Sequence, residues 1–203
     1  VQTCALPISF NKYTLFEAID KARALGLNFI ELYPGQALSP QHKDVRFDHN
    51  SPPELRSQVR TKLEQSGIKA INYGVVNFAP DQAETVFAFA KDMGLEAIVS
   101  EPANTPEMWA AIDALTQKYA VNLAIHNHPK PSIYWNPQTV LDAVKGLNPR
   151  IGACADTGHW MRSGIDPIEA IRILKGRIIS SHLKDLNEFG QREAHDVPWG
   201  TGK

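Results

Sequence analysis

Short apolar runs recur along this chain at a nearly even interval, and each is closed by a polar side chain. The runs cover residues 28–33, 68–75, 97–100, 122–125, 151–155 and 178–181. The residues at or just past their ends are Glu31, Tyr73, Glu101, His126, Asp156 and His182, spaced 42, 28, 25, 30 and 26 residues apart. The last four runs are short and almost wholly apolar, as strands buried on both faces of a parallel sheet must be. Helix signals lie between them. Thr14 to Glu17 and Ser51 to Glu54 read as capping boxes, and Thr105-Pro106, Asn136-Pro137 and Asp166-Pro167 each put a capping residue before proline. Gly26, Gly67, Gly94, Gly146 and Gly176 follow the helical stretches as stop signals.

Six strand-helix units exceed what a small doubly wound sheet needs. Such a sheet would also carry a glycine-rich phosphate turn after its first strand, and Tyr33-Pro34-Gly35-Gln36 does not supply one. A barrel of eight such units runs to about 250 residues. The 203 residues therefore predict an α/β fold, a single (β/α)8 TIM barrel domain over residues 1–203, truncated. The eighth strand is expected to be missing. The first is expected to be damaged, because Pro7 would break a central ladder. A start at Val1 and a stop just after Gly202 fit a fragment. The long first spacing leaves residues 34–50 as a loop over the same rim, with the composition of a lid.

Composition narrows the partners. A hydrophobic content of 43% supports one substantial core, and a net charge of -1 gives no general attraction to nucleic acid or acidic membranes. With no long apolar run and no basic-then-apolar leader, the expectation is a cytoplasmic protein without a membrane partner. Cys4 and Cys154 are too few for a disulfide framework, and Cys154 reads as a small core residue.

The chemistry gathers late in the chain. Five of the seven histidines, His126, His128, His159, His182 and His195, fall in the last 78 residues, four of them just past proposed strands. Residues just past parallel strands meet at one rim, where barrel enzymes carry their sites. Asp156 and His182 would meet there as ligands of a divalent metal, against the plainer readings of a turn cap and a core histidine. Glu101 and His126 are further candidate ligands, and Glu101, His126 and His128 are candidate acid/base groups. His126 and His128 lie two residues apart and so point to the same side of a strand. The mixed oxygen and nitrogen set suits Mn²⁺, Mg²⁺, Co²⁺ or Zn²⁺. Lys184, two residues past His182, would hold a substrate oxygen or phosphate, unless it forms a surface ion pair. Tyr33, Trp160, Trp135 and Trp199 would offer an apolar wall to a sugar ring.

Glu31 after a strand, Ala155-Asp156-Thr157-Gly158-His159, His182-Leu183-Lys184-Asp185 and the run from Val197 to Gly202 together resemble the sugar phosphate isomerase/epimerase family of xylose isomerase-like TIM barrels. The likeness extends from about Tyr13 onward. It implies one divalent metal held by Glu, Asp, His and Glu on the last four strands, with Asp156 and His182 as the second and third ligands. The first glutamate's position holds His126, so either His126 or Glu101 would replace it. The fourth ligand would lie on the strand this chain lacks. The resemblance implies an isomerase or epimerase that moves a proton next to a carbonyl through an enediolate, with Glu31, Tyr33, His159, Trp160 and Lys184 on the substrate. The expected partner is a small carbohydrate, and self-association is allowed for. A related lyase or dehydratase, a sugar-binding barrel without catalysis, and a nuclease like endonuclease IV are the alternatives. Glu193 and His195 would serve the nuclease, which the near-zero charge disfavours.

Overall fold

The computed structural model describes residues 4–5 and 10–203, and the chain divides into two compact units, Val1–Ile98 and Val99–Lys203. The first unit contains β1 (Cys4–Ala5), α1 (Leu15–Ala24), β2 (Phe29–Leu32), β3 (Gln36–Ser39), β4 (His42–Phe47), α2 (Pro53–Ser66), β5 (Lys69–Tyr73) and α3 (Ala83–Asp92). The strand β6 (Ala97–Ser100) spans the division. The second unit continues with α4 (Pro106–Tyr119), β7 (Asn122–His126), α5 (Pro137–Ala143), β8 (Ile151–Asp156), α6 (Thr157–Arg162), α7 (Pro167–Ile173), β9 (Ile178–His182), β10 (Asp185–Leu186) and β11 (Asp196–Val197). Strand-then-helix with parallel pairing is the plan in both units, as the spacing predicts.

In the first unit β1, β2, β5 and β6 pair in that order, all parallel. The damaged first strand is present as two paired residues, Cys4 against Phe29 and Ala5 against Ile30; Pro7 lies outside the described residues. Helix α1 opens on the predicted capping box, with Thr14 and Glu17 each bonding the other's backbone N–H. It buries Leu15, Ala18, Ile19 and Ala22, the three-and-four spacing of one helical face.

Two expectations in this unit need correction. Residues 34–50 are not a plain loop: β3 and β4 form an antiparallel hairpin within them. The Ser51 box does not form either. A residue before proline is driven out of the helical region, so Pro52 stays extended at ψ 160 and α2 begins at Pro53. The Ser51 hydroxyl instead accepts from the Asp48 N–H at 3.0 Å.

In the second unit β7, β8 and β9 lie parallel in sequence order, and all six residues of β8 are buried, including the unpaired Cys154. Thr105, Asn136 and Asp166 cap α4, α5 and α7 as expected. Where α2 ends on Gly67 at φ 65, α4 ends on Ala120 at φ 54, a left-handed residue with a Cβ. That conformation costs an alanine about 1 kcal/mol, offset in part by the greater unfolded freedom of glycine. Ala120→Gly is therefore expected to stabilise the protein by about 0.5 kcal/mol in urea unfolding; a clear loss of stability would contradict the reading. Among the described residues no helix is long and apolar enough to cross a membrane.

Candidate metal centre

Register brings the late residues together. In the parallel pairing Asp156 stands opposite His182, and His126 stands opposite Cys154. Cys154 precedes Asp156 by two residues, so the period of a strand sends the His126, Asp156 and His182 side chains to one face. All three are buried. Asp156 Oδ2 lies 3.5 Å from His126 Nε2 and 3.8 Å from His182 Nδ1. Ligand atoms about 2 Å from one tetrahedral ion stand roughly 3.3 Å apart, so the cluster needs little adjustment to close on a cation. Asp156 also caps α6, its Oδ1 accepting from the His159 N–H at 3.0 Å. The cap and the cluster use different oxygens, so the plain reading and the functional one hold together.

The remaining polar groups grade outward from this point. Lys184 Nζ is 2.7 Å from Asp156 Oδ2 and 3.5 Å from His159 Nε2. His128 stacks edge-on against His126 with centroids 4.4 Å apart, and its own side chain is 43% exposed, so this imidazole is the one open to solvent. Glu101 Oε1 accepts from the His128 N–H at 2.8 Å, meets His128 Nδ1 at 2.7 Å and accepts from Ser132 Oγ at 3.2 Å. It stands 3.8 Å from His126 Nδ1, beyond hydrogen-bond range. The ligand-like groups among the described residues are His126 with Asp156 and His182, and His126 with His128 and His159. Neither contains Glu101.

Burial and charge set the protonation states. Burial would raise the Asp156 carboxyl, but His126 and Lys184 beside it hold it well below the ordinary range. Glu101 is likewise lowered against its burial by His126 and His128. Burial would depress His126, yet Asp156 and Glu101 on its two sides raise it to about 9. His159 goes the other way: burial, aided by Lys184, lowers it to about 3 despite Asp156.

Two side chains stitch the strand ends to one another. Asn127 donates its Nδ2 to the Asp156 carbonyl at 3.0 Å and accepts the Asp156 N–H on Oδ1 at 2.8 Å. Thr157 Oγ1 donates to the Lys184 carbonyl at 3.0 Å and accepts the Lys184 N–H at 2.9 Å. Sequence reasoning passed over both, as well as Ser132 and Arg162. Asn127 lies between two site histidines, which was a usable signal; Arg162 follows His159 by three residues on the same helix face.

Other candidates fall elsewhere. Glu31 is buried in the first unit, accepting from Asn72 Nδ2 at 3.2 Å, and Tyr33 of the same unit is exposed. Trp160 does not present a wall to a sugar: α6 turns it inward and leaves it 1% exposed, because an indole is the largest apolar surface this short helix has to bury. Trp135 lies under Lys130 Nζ at 4.0 Å, and Trp199 is exposed. Glu193 and His195 are exposed and belong to neither cluster.

The family pattern described as the xylose isomerase-like TIM barrel matches residues 19–203. The chain belongs to this family. A crystal structure of an uncharacterised protein from Parabacteroides distasonis is 32% identical with a TM-score of 0.79, covering 100% of this chain and 80% of that one. A D-tagatose 3-epimerase-like protein is 15% identical with a TM-score of 0.74, covering 100% and 82%. A xylose isomerase-like barrel from Mycobacterium smegmatis, in complex with magnesium, is 13% identical with a TM-score of 0.72, covering 99% and 81%. A D-psicose 3-epimerase, a probable 3-DHS dehydratase and a zinc-bound member are further neighbours. At such identities these last likenesses establish the shared fold. No curated protein matches the sequence. The family's TIM barrel is the α/β fold class that the strand spacing predicts.

Proposed function

We propose that this xylose isomerase-like chain carries the catalytic face of a metal-dependent isomerase or epimerase for a sugar, a sugar phosphate or a cyclitol ketone. The observation that carries the reading is the Glu101–His128 pair set beside the His126, Asp156 and His182 cluster. The cluster's donors fit a divalent ion. Asp156 Oδ2 is buried and faces the Lys184 ammonium at 2.7 Å and the His126, His159 and His182 rings at 3.5, 3.7 and 3.8 Å. His126 Nδ1 turns toward Glu101, which leaves Nε2 for a ligand role. Two imidazoles and one carboxylate suit Zn²⁺ or Co²⁺ better than Mg²⁺, which prefers oxygen. When bound, such an ion supplies Lewis-acid polarisation of a carbonyl.

The chain's own residues then do the proton work. Glu101 accepts a hydrogen bond from the His128 Nδ1–H, favouring the tautomer in which Nε2 carries the lone pair. Nε2 removes the proton from the carbon next to the carbonyl, and electrons move onto the carbonyl oxygen to give the enediolate. Lys184 and neutral His159, both beside Asp156, would balance and hydrogen-bond that oxygen. Passage of the adjacent hydroxyl's proton to that oxygen, with return of the proton from His128 to the former carbonyl carbon, completes an isomerisation. A dehydratase sharing the first step is the second reading, favoured by the dehydratase fold neighbour.

Incubation of the complete enzyme in D₂O with candidate ketoses, sugar phosphates and cyclitol ketones is expected to exchange the proton next to the carbonyl. A chelator is expected to stop the exchange, and Zn²⁺, Co²⁺ or Mn²⁺ to restore it. His128→Ala is expected to cut the exchange about 10²- to 10⁴-fold while metal content stays unchanged. Exchange in a demonstrably metal-free preparation, or cleavage of abasic DNA with no exchange on any ketone, would overturn the proposal.

A further inference from the structure

A second polar site lies beside the metal cluster. Lys130, Pro131, Arg162, Ser163, Gly190 and Arg192 line a cleft of about 410 Å³, many times the roughly 30 Å³ share of one water. The lining comes from three separate segments: the stretch after β7, the end of α6, and the connection between β10 and β11. Three of its six residues are cations and none is an acid. The nearest acids, Asp196 and Glu193, stand outside the lining, against Arg162 and Arg192.

The cations are held in place more than they are neutralised. Lys130 Nζ rests 4.0 Å over the Trp135 ring, which orients an ammonium without cancelling its charge. Arg192 Nη1 donates to the Lys130 carbonyl, again a neutral partner. Arg162 donates Nε to the Ala194 carbonyl at 2.8 Å and Nη2 to Asp196 at 2.7 Å. Asp196 is half exposed, and such pairs are weak enough for a better anion to compete. Glu193 approaches Arg192 only at 3.8 Å, with both side chains mostly in solvent.

His159 joins the cleft to the centre. Its Nδ1 is 3.2 Å from Arg162 Nη1, and its Nε2 is 3.7 Å from Asp156 Oδ2. One imidazole therefore links Arg162, in the cleft lining, to Asp156 in the metal cluster.

We propose that this cleft is the binding site for the phosphate monoester of the substrate, received by Lys130, Arg162 and Arg192. It selects a phosphorylated ketone from the classes named above and rests on that reading for the identity of the ligand's other end. Phosphate suits the cleft better than a carboxylate does. A dianion with three peripheral oxygens can take hydrogen bonds from several cations of one cleft, and guanidinium groups engage it in paired fashion.

Calorimetric titration of inorganic phosphate into the metal-free full chain, at fixed ionic strength, tests the site without any turnover. Saturable binding is expected. Lys130→Gln/Arg192→Gln, at two exposed positions, is expected to weaken it about tenfold or more. Lys43→Gln/Lys91→Gln carries the same net charge and is expected to leave it unchanged. In the active holoenzyme the first pair should raise KM for a phosphorylated substrate without lowering kcat. Absence of saturable binding at millimolar phosphate, equal losses in both double variants, or acetate binding as tightly as phosphate would each overturn the cleft. If phosphate binds as expected while no ketone exchanges its proton, the cleft stands and the proton-transfer reading falls.

Discussion

Asp156→Asn is expected to lower divalent-metal affinity by about two orders of magnitude or more and to stop proton exchange with it. The substitution keeps size and shape, so the cap on the His159 N–H can survive through the remaining amide oxygen. What it removes is the negative charge that His126, His182, His159 and Lys184 all face. A ligand set with a single carboxylate loses its only anionic donor, and the neutral amide cannot replace it. Stability should also change in a diagnostic way. The Asp156 carboxyl is depressed in the folded state, so it contributes stability above its unfolded pKa of about 4, lost as pH falls below that. The variant should therefore be less stable at neutral pH and show a shallower acid-side loss. Calorimetric metal titration with acid unfolding checks both parts; retained metal affinity would remove Asp156 from the ligand set.

Gly152→Ala is expected to destabilise the protein by about 3 kcal/mol, or to prevent folding. A Cβ on Gly152 would lie 2.1 Å from the Arg177 carbonyl oxygen and 3.0 Å from its carbon. Both atoms are backbone, so no side-chain rotation relieves the clash. The same carbonyl accepts the Ala153 N–H at 2.7 Å, just where the register between β8 and β9 shifts. Making room means moving β9 away from β8, and His182 with it. The loss in urea midpoint should come with weaker metal binding, because one displacement causes both. A variant within about 1 kcal/mol of the parent would show that the strands adjust more freely than their contacts imply.

The sequence was most informative where one local rule acted alone. Thr14, Thr105, Asn136 and Asp166 cap helices because a short polar side chain before a helical run has few other options. The strand ends at His126, Asp156 and His182 were readable because buried parallel strands must be apolar until they reach the rim. The β3–β4 hairpin was not readable: His42, Lys43, Asp44 and Arg46 are largely exposed, so the strand shows no burial alternation. Ser51 failed as a cap because two consecutive prolines outweighed it, a constraint of backbone sterics. At the site, distances across strands decided what spacing along the chain could not. Lys184 reads as a surface lysine or a substrate anchor, yet its ammonium meets Asp156 from the next strand. Trp160 looked like a rim aromatic because its burial depends on the direction of α6, which motif position does not specify.

Parallel ladders usually loosen toward their ends, yet the Asn127 and Thr157 stitches continue the cross-links past the last regular pairs. Each side chain gives and receives one bond, imitating a strand neighbour with three or four atoms of its own. The spacing of the cluster is thereby tied to the strands rather than to the connecting segments that follow them. Insertions, deletions and thermal fluctuation in those segments can proceed without being transmitted to the distances among His126, Asp156 and His182. A rim built this way can exchange its loops over evolutionary time while its central geometry stays in register.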